Sequence, residues 1–149
     1  GTSTSSTSES WRIVDQRSYV LPGTSQLMTW QVGNFGFEMS LSPRVPSVIR
    51  EVLRPWLENW LKEYSLSVKE VRSWAIHPGG PRILTACADA LNLDYSYLKS
   101  SQNVLANYGN MSSPTVLFIL EQLRKEIGSL PCIALAFGPG LTIEAALII

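Results

Sequence analysis

Two short stretches contain residues that can stabilise negative charge during a reaction. The first, residues 76–81 (IHPGGP), contains His77, the only histidine of the chain. The second, residues 108–113 (YGNMSS), contains Asn110. Each residue stands at the end of a predicted regular element, from which an imidazole and a carboxamide can donate hydrogen bonds into one cavity. The pair predicts an oxyanion-stabilising site, which needs a nucleophile to be complete.

The two cysteines are the natural candidates for that nucleophile, and neither fits the role. Cys87 falls on the apolar face of a predicted helix, and Cys132 opens a predicted buried strand. Neither position has the helix N-terminus or the exposed, electropositive surroundings that stabilise a thiolate. We therefore predict that both cysteines are small core residues.

Structural roles compete with the catalytic interpretation. A lone histidine is more often structural, but His77 follows a strand, and ligands of open α/β sheets gather at strand ends. Asn110 equally suits a turn or a helix entry, and that interpretation stays open. The segment 138–140 (GPG) is most simply a hairpin connection, although it would also allow close backbone approach to a ligand. One histidine and two distant cysteines predict no metal site.

Hydrophobic periodicity predicts the elements that position these residues. In residues 35–42 the residues Phe35, Phe37, Met39 and Leu41 alternate with small or polar ones, which predicts a strand with one buried face. The strands at the start of the chain are predicted to form a meander or hairpin. The elements imply an α/β fold with a mixed sheet of about five strands. The predicted strands are 11–21, 27–32, 35–42, 71–76, 132–137 and 141–149, and the predicted helices are 45–64, 81–92, 96–107 and 114–127.

Composition limits the function classes. The chain has 149 residues, with 12 basic and 12 acidic residues, which predicts no nucleic-acid partner. No apolar run suits a membrane span, and two cysteines suit a reduced, cytoplasmic setting. Residues 1–10 are predicted to be a flexible Ser/Thr-rich leader, and residues 11–149 a single domain. Because the chain opens on glycine rather than methionine, we expect it to be a piece of a longer protein.

Three motifs together resemble the type III polyketide synthases, the chalcone and stilbene synthase family. They are residues 76–81 (IHPGGP), 108–113 (YGNMSS) and 137–142 (FGPGLT). They occur in the order found in the family, and the chain resembles only the C-terminal half of its members. The resemblance implies a thiolase-like half-domain that packs against an N-terminal half of the same synthase.

The resemblance also implies a mechanism. His77 and Asn110 would belong to a Cys-His-Asn triad whose cysteine lies in the N-terminal half, so this chain alone is expected to be inactive. The implied substrates are malonyl-coenzyme A and an acyl-coenzyme A starter, with no further cofactor and no metal. The family implies a homo-oligomer, and the isolated chain is expected to self-associate.

The resemblance implies a set of pocket residues. Met39 falls where plant members carry a gatekeeping phenylalanine, Arg82 lies near the coenzyme A tunnel, and Ser112 lies near the triad. The glycine-proline loop would line the polyketide cavity. The complete implied set is Met39, Gly79, Gly80, Arg82, Ser112, Gly138, Pro139 and Gly140.

Two other functions stay open. The first is a β-ketoacyl synthase III-like acyltransferase that takes its substrate from acyl-carrier protein, although the sequences around His77 and Asn110 argue against it. The second is a non-catalytic domain that binds coenzyme A thioesters or mediates assembly. Such a domain would not depend on His77 or Asn110.

Overall fold

The computed structural model describes residues 10–126 and 128–149. The predicted leader, residues 1–10, lies outside the described residues apart from Ser10. Short 3-10 turns at Lys62–Tyr64, Val68–Glu70 and Tyr95–Leu98 connect the main elements. The strands are β1 (Ile13–Val20), β2 (Met28–Gly33), β3 (Gly36–Leu41), β4 (Ser73–Ile76), β5 (Cys132–Gly138) and β6 (Thr142–Ile148), and the helices are α1 (Val45–Leu61), α2 (Pro81–Leu91), α3 (Lys99–Tyr108) and α4 (Pro114–Leu123).

The main sheet is mixed, as predicted, and it has four strands in the order β1-β6-β5-β4. Strands β4 and β5 are parallel, whereas β1 and β5 both pair antiparallel with β6. The prediction of about five strands in one sheet is too high, because β2 and β3 form a separate hairpin. The predicted hairpin or meander at the start of the chain is therefore only β2–β3, and β1 pairs instead with the distant last strand.

Helices cover both faces of the main sheet. On one face α1 and α2 enclose the larger core, to which β4 contributes Trp74 and Ile76. On the other face a smaller core lies between the sheet and α3 and α4, and Ala75 of β4 belongs to it. This alternation along β4 is the period-2 pattern of a strand that is buried on both faces. Because β4 and β5 are parallel neighbours, their carboxyl ends lie at the same edge of the sheet.

Helix α1 follows the predicted apolar stripe. Pro46 lies in its first turn, where its missing N–H costs nothing, and the helix continues through Pro55. Helix α4 ends at Leu123, earlier than predicted, and turns follow it. The predicted last helical residue, Ile127, lies outside the described residues. In the part of the chain that the structure describes, no helix combines the length and apolarity that a membrane span requires.

The predicted buried face of β3 is wrong. Phe37, Met39 and Leu41 are 72%, 57% and 43% exposed. The alternation itself is real, because these side chains share one face of the hairpin. That face does not join the core, since the hairpin stands apart from the main sheet and borders a cavity.

Thr24 fixes the loop between β5 and β6 to the segment after β1. Its hydroxyl lies 2.7 Å and 2.8 Å from the carbonyl oxygens of Leu21 and Gly140 and can donate to either of them. The same oxygen accepts a hydrogen bond from the N–H of Leu141 at 2.8 Å. The N–H of Gly140 also donates to the carbonyl oxygen of Met28 at 3.4 Å. The Thr24 side chain therefore joins the segment after β1 to the β5–β6 loop, and the backbone of Gly140 joins that loop to the base of the hairpin.

Replacing Thr24 by valine, which has the same shape, tests this role. Thr24→Val leaves the N–H of Leu141 and two carbonyl groups without their partner, so the free energy of unfolding should fall by about 1–3 kcal/mol. Urea unfolding of the chain measures the change. Thr29→Val is the matched control, because its hydroxyl contacts only Ser40 on the exposed side of the hairpin. An equal loss in both variants would contradict the assigned role of Thr24.

Candidate active site

His77 follows directly on β4 and is held by the parallel pairing with β5. Its backbone N–H donates to the carbonyl oxygen of Leu135 at 2.7 Å, which extends the ladder one residue past Ile76. The N–H of Gly79 then donates back to the carbonyl oxygen of His77 at 3.1 Å, and the chain turns into α2. The main chain of His77 is thus fixed on both sides, and the half-buried imidazole lies at the edge of the sheet.

Burial sets the protonation state of His77. Desolvation lowers the pKa of the imidazole from its ordinary value of 6.5, because the charged form loses hydration without gaining a partner. The neutral form therefore prevails near pH 7. A neutral imidazole carries one N–H donor and one acceptor nitrogen, which suits it to stabilise a developing oxyanion.

Asn110 lies in the tight loop between α3 and α4. Gly109 ends α3 with φ 71° and ψ −167°, a conformation that only glycine adopts readily. Ser112 also has a positive φ of 62°, which is uncommon for a residue with a side chain. The N–H of Met111 donates to the hydroxyl of the buried Thr115 at 2.9 Å. The loop is held in one strained conformation, as loops at functional sites often are.

The orientation of the Asn110 side chain follows from one hydrogen bond. Its Oδ1 accepts the backbone N–H of Ser112 at 2.9 Å. This contact fixes which side of the carboxamide carries Oδ1. The NH2 group therefore lies on the opposite side, where it can donate a hydrogen bond. Asn110 therefore has the predicted turn-forming role, and its NH2 group can still act as a hydrogen-bond donor.

His77 and Asn110 line the same cavity, which has a volume of about 410 Å³. Seven of the ten predicted site residues line it. They are Met39, His77, Gly79, Asn110, Ser112, Gly138 and Pro139. A cavity of this size is within the range of small-molecule sites. The imidazole of His77 and the carboxamide of Asn110, which can both donate hydrogen bonds, are among its walls.

The other three predicted residues lie elsewhere. Gly80 and Arg82 line a second cavity of about 490 Å³, which we call the outer cavity. The outer cavity adjoins the first, since Leu41, Gly79 and Ile83 border both. Gly140 borders neither cavity, because it turns back toward Thr24 and Met28 at the rear of the loop. Its place in the polyketide pocket stays a prediction.

Six lining residues were absent from the sequence-based prediction. They are Met28, Trp30, Leu41, Ile83, Ser113 and Phe137. Met28, Trp30 and Leu41 belong to the β2–β3 hairpin, where Trp30 lies opposite Met39 and Met28 opposite Leu41. The alternating pattern of β3 predicts this shared face correctly but assigns it to the core. Trp30 gave no comparable signal, because its pairing with Met39 depends on the register of the hairpin.

The cysteines lie in the core, as their predicted surroundings suggested. Cys87 and Cys132 are fully buried and unpaired. Burial raises the pKa of both thiols, that of Cys132 to about 11 and that of Cys87 further. Neither lines the cavity that contains His77. No group of three or more histidine, cysteine or acidic side chains suited to a metal ion occurs within residues 10–126 and 128–149.

Comparisons with known proteins agree on one family. The family described as chalcone and stilbene synthases, C-terminal domain, matches residues 12–149. A 1,3,6,8-tetrahydroxynaphthalene synthase of Streptomyces peucetius is 36% identical over 135 residues, which cover 89% of this chain and 36% of that protein. An alpha-pyrone synthesis polyketide synthase-like protein of Mycobacterium tuberculosis is 33% identical over 134 residues, covering 87% of this chain and 34% of that protein.

A solved structure gives the same result for the fold. The crystal structure of PKS-I from the brown alga Ectocarpus siliculosus superposes with a TM-score of 0.86 at 30% identity, covering 93% of this chain and 39% of that one. The thiolase-like α/β fold expected from the motifs is thereby confirmed. The chain spans between one third and two fifths of the length of these relatives. The chain belongs to the chalcone and stilbene synthase family of type III polyketide synthases, and it corresponds to their C-terminal domain.

Proposed function

We propose that this chain provides half of the active site of a type III polyketide synthase, with His77 and Asn110 as its catalytic residues. The observation that carries the proposal is the placement of both side chains on one cavity. The family membership supplies the reaction class, which is acyl transfer between coenzyme A thioesters. The expected substrates are malonyl-coenzyme A and an acyl-coenzyme A starter, with no metal or redox cofactor.

The reaction creates negative charge on oxygen at two steps. Loss of carbon dioxide from the malonyl thioester leaves an enolate, whose carbon attacks the carbonyl carbon of the enzyme-bound acyl thioester. A carbon–carbon bond forms, the tetrahedral intermediate collapses, and the cysteine thiolate leaves. The imidazole N–H of His77 and the NH2 group of Asn110 would donate to the thioester oxygen at each step. Donors fixed in a partly dry cavity stabilise such charge because they need no reorganisation.

The nucleophilic cysteine is proposed to come from an N-terminal half of the same synthase. Both cysteines of this chain are buried with raised thiol pKa values, so neither suits the role. His77 would stabilise the incoming thiolate as an imidazolium ion. The chain alone is therefore proposed to have no condensing activity.

The adjoining outer cavity is the proposed path of coenzyme A. Arg82 lines it and forms no ion pair with any described residue. A guanidinium group at this position can bind phosphate oxygens through several N–H donors. Gly79 borders both cavities, and a glycine there leaves room for the pantetheine arm to pass.

Exposed apolar side chains on the hairpin and on α4 support the proposal that an N-terminal half packs against this chain. Val32, Phe35 and Phe37 on the hairpin are 84%, 105% and 72% exposed, and Leu117 and Phe118 of α4 are also exposed. Patches of this kind usually mark protein interfaces. We propose that the N-terminal half covers them and that the whole protein is a cytoplasmic homo-oligomer. We further propose that residues 11–149 form the domain.

Variants of the two donors in the full-length protein test the proposed function. Asn110→Asp keeps the oxygen that accepts the N–H of Ser112 but removes the NH2 donor, so kcat should fall by about 100- to 1,000-fold. His77→Ala should lower kcat at least as much. The measurement is release of carbon dioxide from malonyl-coenzyme A together with the condensed product.

Asn107→Asp is the matched control, because Asn107 lies on α3 outside the cavity. It should retain the rate of the parent protein. Undiminished turnover in both Asn110→Asp and His77→Ala would refute the catalytic assignment and favour a non-catalytic binding domain. Turnover that requires acyl-carrier protein would favour the β-ketoacyl synthase-like alternative.

The titration of His77 gives a second test that needs no turnover. Because the chain has a single histidine, one imidazole resonance in its NMR spectrum reports it. Its midpoint should lie below the ordinary value of 6.5. The unfolded chain then binds more protons between the two pKa values, so stability should fall as the pH falls from about 6.5 toward the folded pKa.

The control for this titration is His77→Gln, in which that part of the pH dependence should disappear. Addition of an N-terminal half that contains the cysteine should raise the midpoint, because a thiolate favours the imidazolium form. An N-terminal half with alanine in place of that cysteine should raise the titration midpoint of His77 less. A midpoint above 6.5 in the chain alone would contradict the role assigned to burial.

A further inference from the structure

Thr115 lies in the first turn of α4 and is fully buried beside the loop that contains Asn110. It shares a face of the helix with Ile119 and Leu123, which belong to the smaller core. A valine would fill the same space without the cost of burying a hydroxyl. What the hydroxyl adds is a hydrogen bond, since its Oγ1 accepts the backbone N–H of Met111 at 2.9 Å.

This hydrogen bond orients the peptide group that follows Asn110. The N–H of Met111 belongs to that planar group, so holding the N–H limits the ψ angle of Asn110. A second hydrogen bond joins the same two segments, from the N–H of Thr115 to the carbonyl oxygen of Ser112 at 3.1 Å. The backbone on the C-terminal side of Asn110 is thus tied to α4 at two points.

The same two points act on the side chain of Asn110. Its Oδ1 accepts the N–H of Ser112 at 2.9 Å, and Ser112 presents that N–H from a conformation with a positive φ of 62°. A residue with a side chain keeps such a conformation only when its surroundings hold it there. Without the acceptor on Thr115, the loop can relax toward a negative φ at Ser112, and the NH2 group of Asn110 then loses its fixed direction.

We propose that Thr115 is a positioning residue, whose hydroxyl holds the NH2 group of Asn110 where it can donate to the reacting oxygen. Thr115 does not line the cavity, so it acts through Asn110 and not on the substrate. This inference rests on the proposed function, because it takes Asn110 to be a catalytic donor.

Kinetics of the full-length protein with two substitutions separate the hydroxyl from the packing. Thr115→Val keeps the shape but removes the acceptor, so kcat should fall by about 10- to 100-fold, as expected when a catalytic group moves by about 1 Å. KM for malonyl-coenzyme A should not change. Thr115→Ser keeps the acceptor but loses a buried methyl group, so it should retain most of kcat and unfold at a lower urea concentration. Equal losses of kcat in both variants would overturn the proposal.

A double-mutant cycle tests whether Thr115 acts through Asn110. Asn110→Asp keeps the oxygen that accepts the N–H of Ser112, but it has no NH2 donor to position. Thr115→Val should therefore cause little further loss of kcat in the Asn110→Asp background, although it causes a large loss alone. Losses that multiply in the double variant would mean that Thr115 affects turnover by another route, and the proposal would be wrong.

Ser129→Ala is the matched control beyond the other end of α4. Ser129 is also buried, and its hydroxyl lies 2.9 Å and 2.7 Å from the carbonyl oxygens of Leu123 and Glu126 and can donate to either of them. Ser129→Ala should lower the resistance to urea but leave kcat unchanged. A loss of kcat as large as that in Thr115→Val would assign both effects to α4 as a whole and overturn the specific role of Thr115.

Hydrogen exchange keeps this inference separate from the proposed function. In the full-length protein, a peptide that covers residues 108–116 reports the amides of Met111 and Ser112 by mass spectrometry. Thr115→Val should speed their exchange by about tenfold, because one hydrogen bond contributes about that factor to local opening. Ser129→Ala should not change it.

Each combination of exchange and kinetics has one meaning. Unchanged exchange in Thr115→Val overturns the positioning role. Faster exchange, with a large loss of kcat in Asn110→Asp but none in Thr115→Val, also overturns that role and leaves the proposed function intact. Faster exchange with full turnover in Asn110→Asp and His77→Ala overturns the catalytic assignment, whereas Thr115 still holds the loop.

Discussion

The parallel pairing of β4 with β5 is the constraint on which the site depends. Its last hydrogen bond, from the N–H of His77 to the carbonyl oxygen of Leu135, fixes the histidine at the edge of the sheet. The same pairing sets Gly138 and Pro139 beside it, since β5 continues past the end of β4. The cavity exists because two strands end at one edge and a loop from α3 closes toward them. Loss of this register would separate the histidine from the remaining walls.

The elements could be predicted from the sequence because local patterns specify them. The apolar stripe of α1, the proline that starts α2 and the β-prone run of β5 each depend on nearby residues. The position of His77 at a strand end also followed from local order, and the general rule about strand ends then indicated a site. The convergence with Asn110 was expected from its position at the end of a predicted helix, although a loop asparagine also has an ordinary turn-forming role.

What could not be predicted depends on long-range pairing. The partner of β1 is β6, where Tyr19 meets Ile143 across more than a hundred residues, and no local pattern specifies that choice. The alternation in β3 predicted a shared face correctly but not what that face contacts. A strand pattern reports that side chains lie on one side, and it does not distinguish a core from the wall of a cavity. Trp30 could not be predicted because its pairing with Met39 depends on the register of the hairpin.

The proposed function divides the active site between two parts of a longer protein. The proposed donors His77 and Asn110, their cavity and the proposed coenzyme A route past Arg82 lie in this chain, whereas its own thiols are buried. The most direct measurement mixes this chain with the N-terminal half of the same synthase and follows release of carbon dioxide from malonyl-coenzyme A in the presence of an acyl-coenzyme A starter. We expect release by the mixture and none by this chain alone. Release by this chain alone would contradict the proposed function and return attention to Cys87 and Cys132.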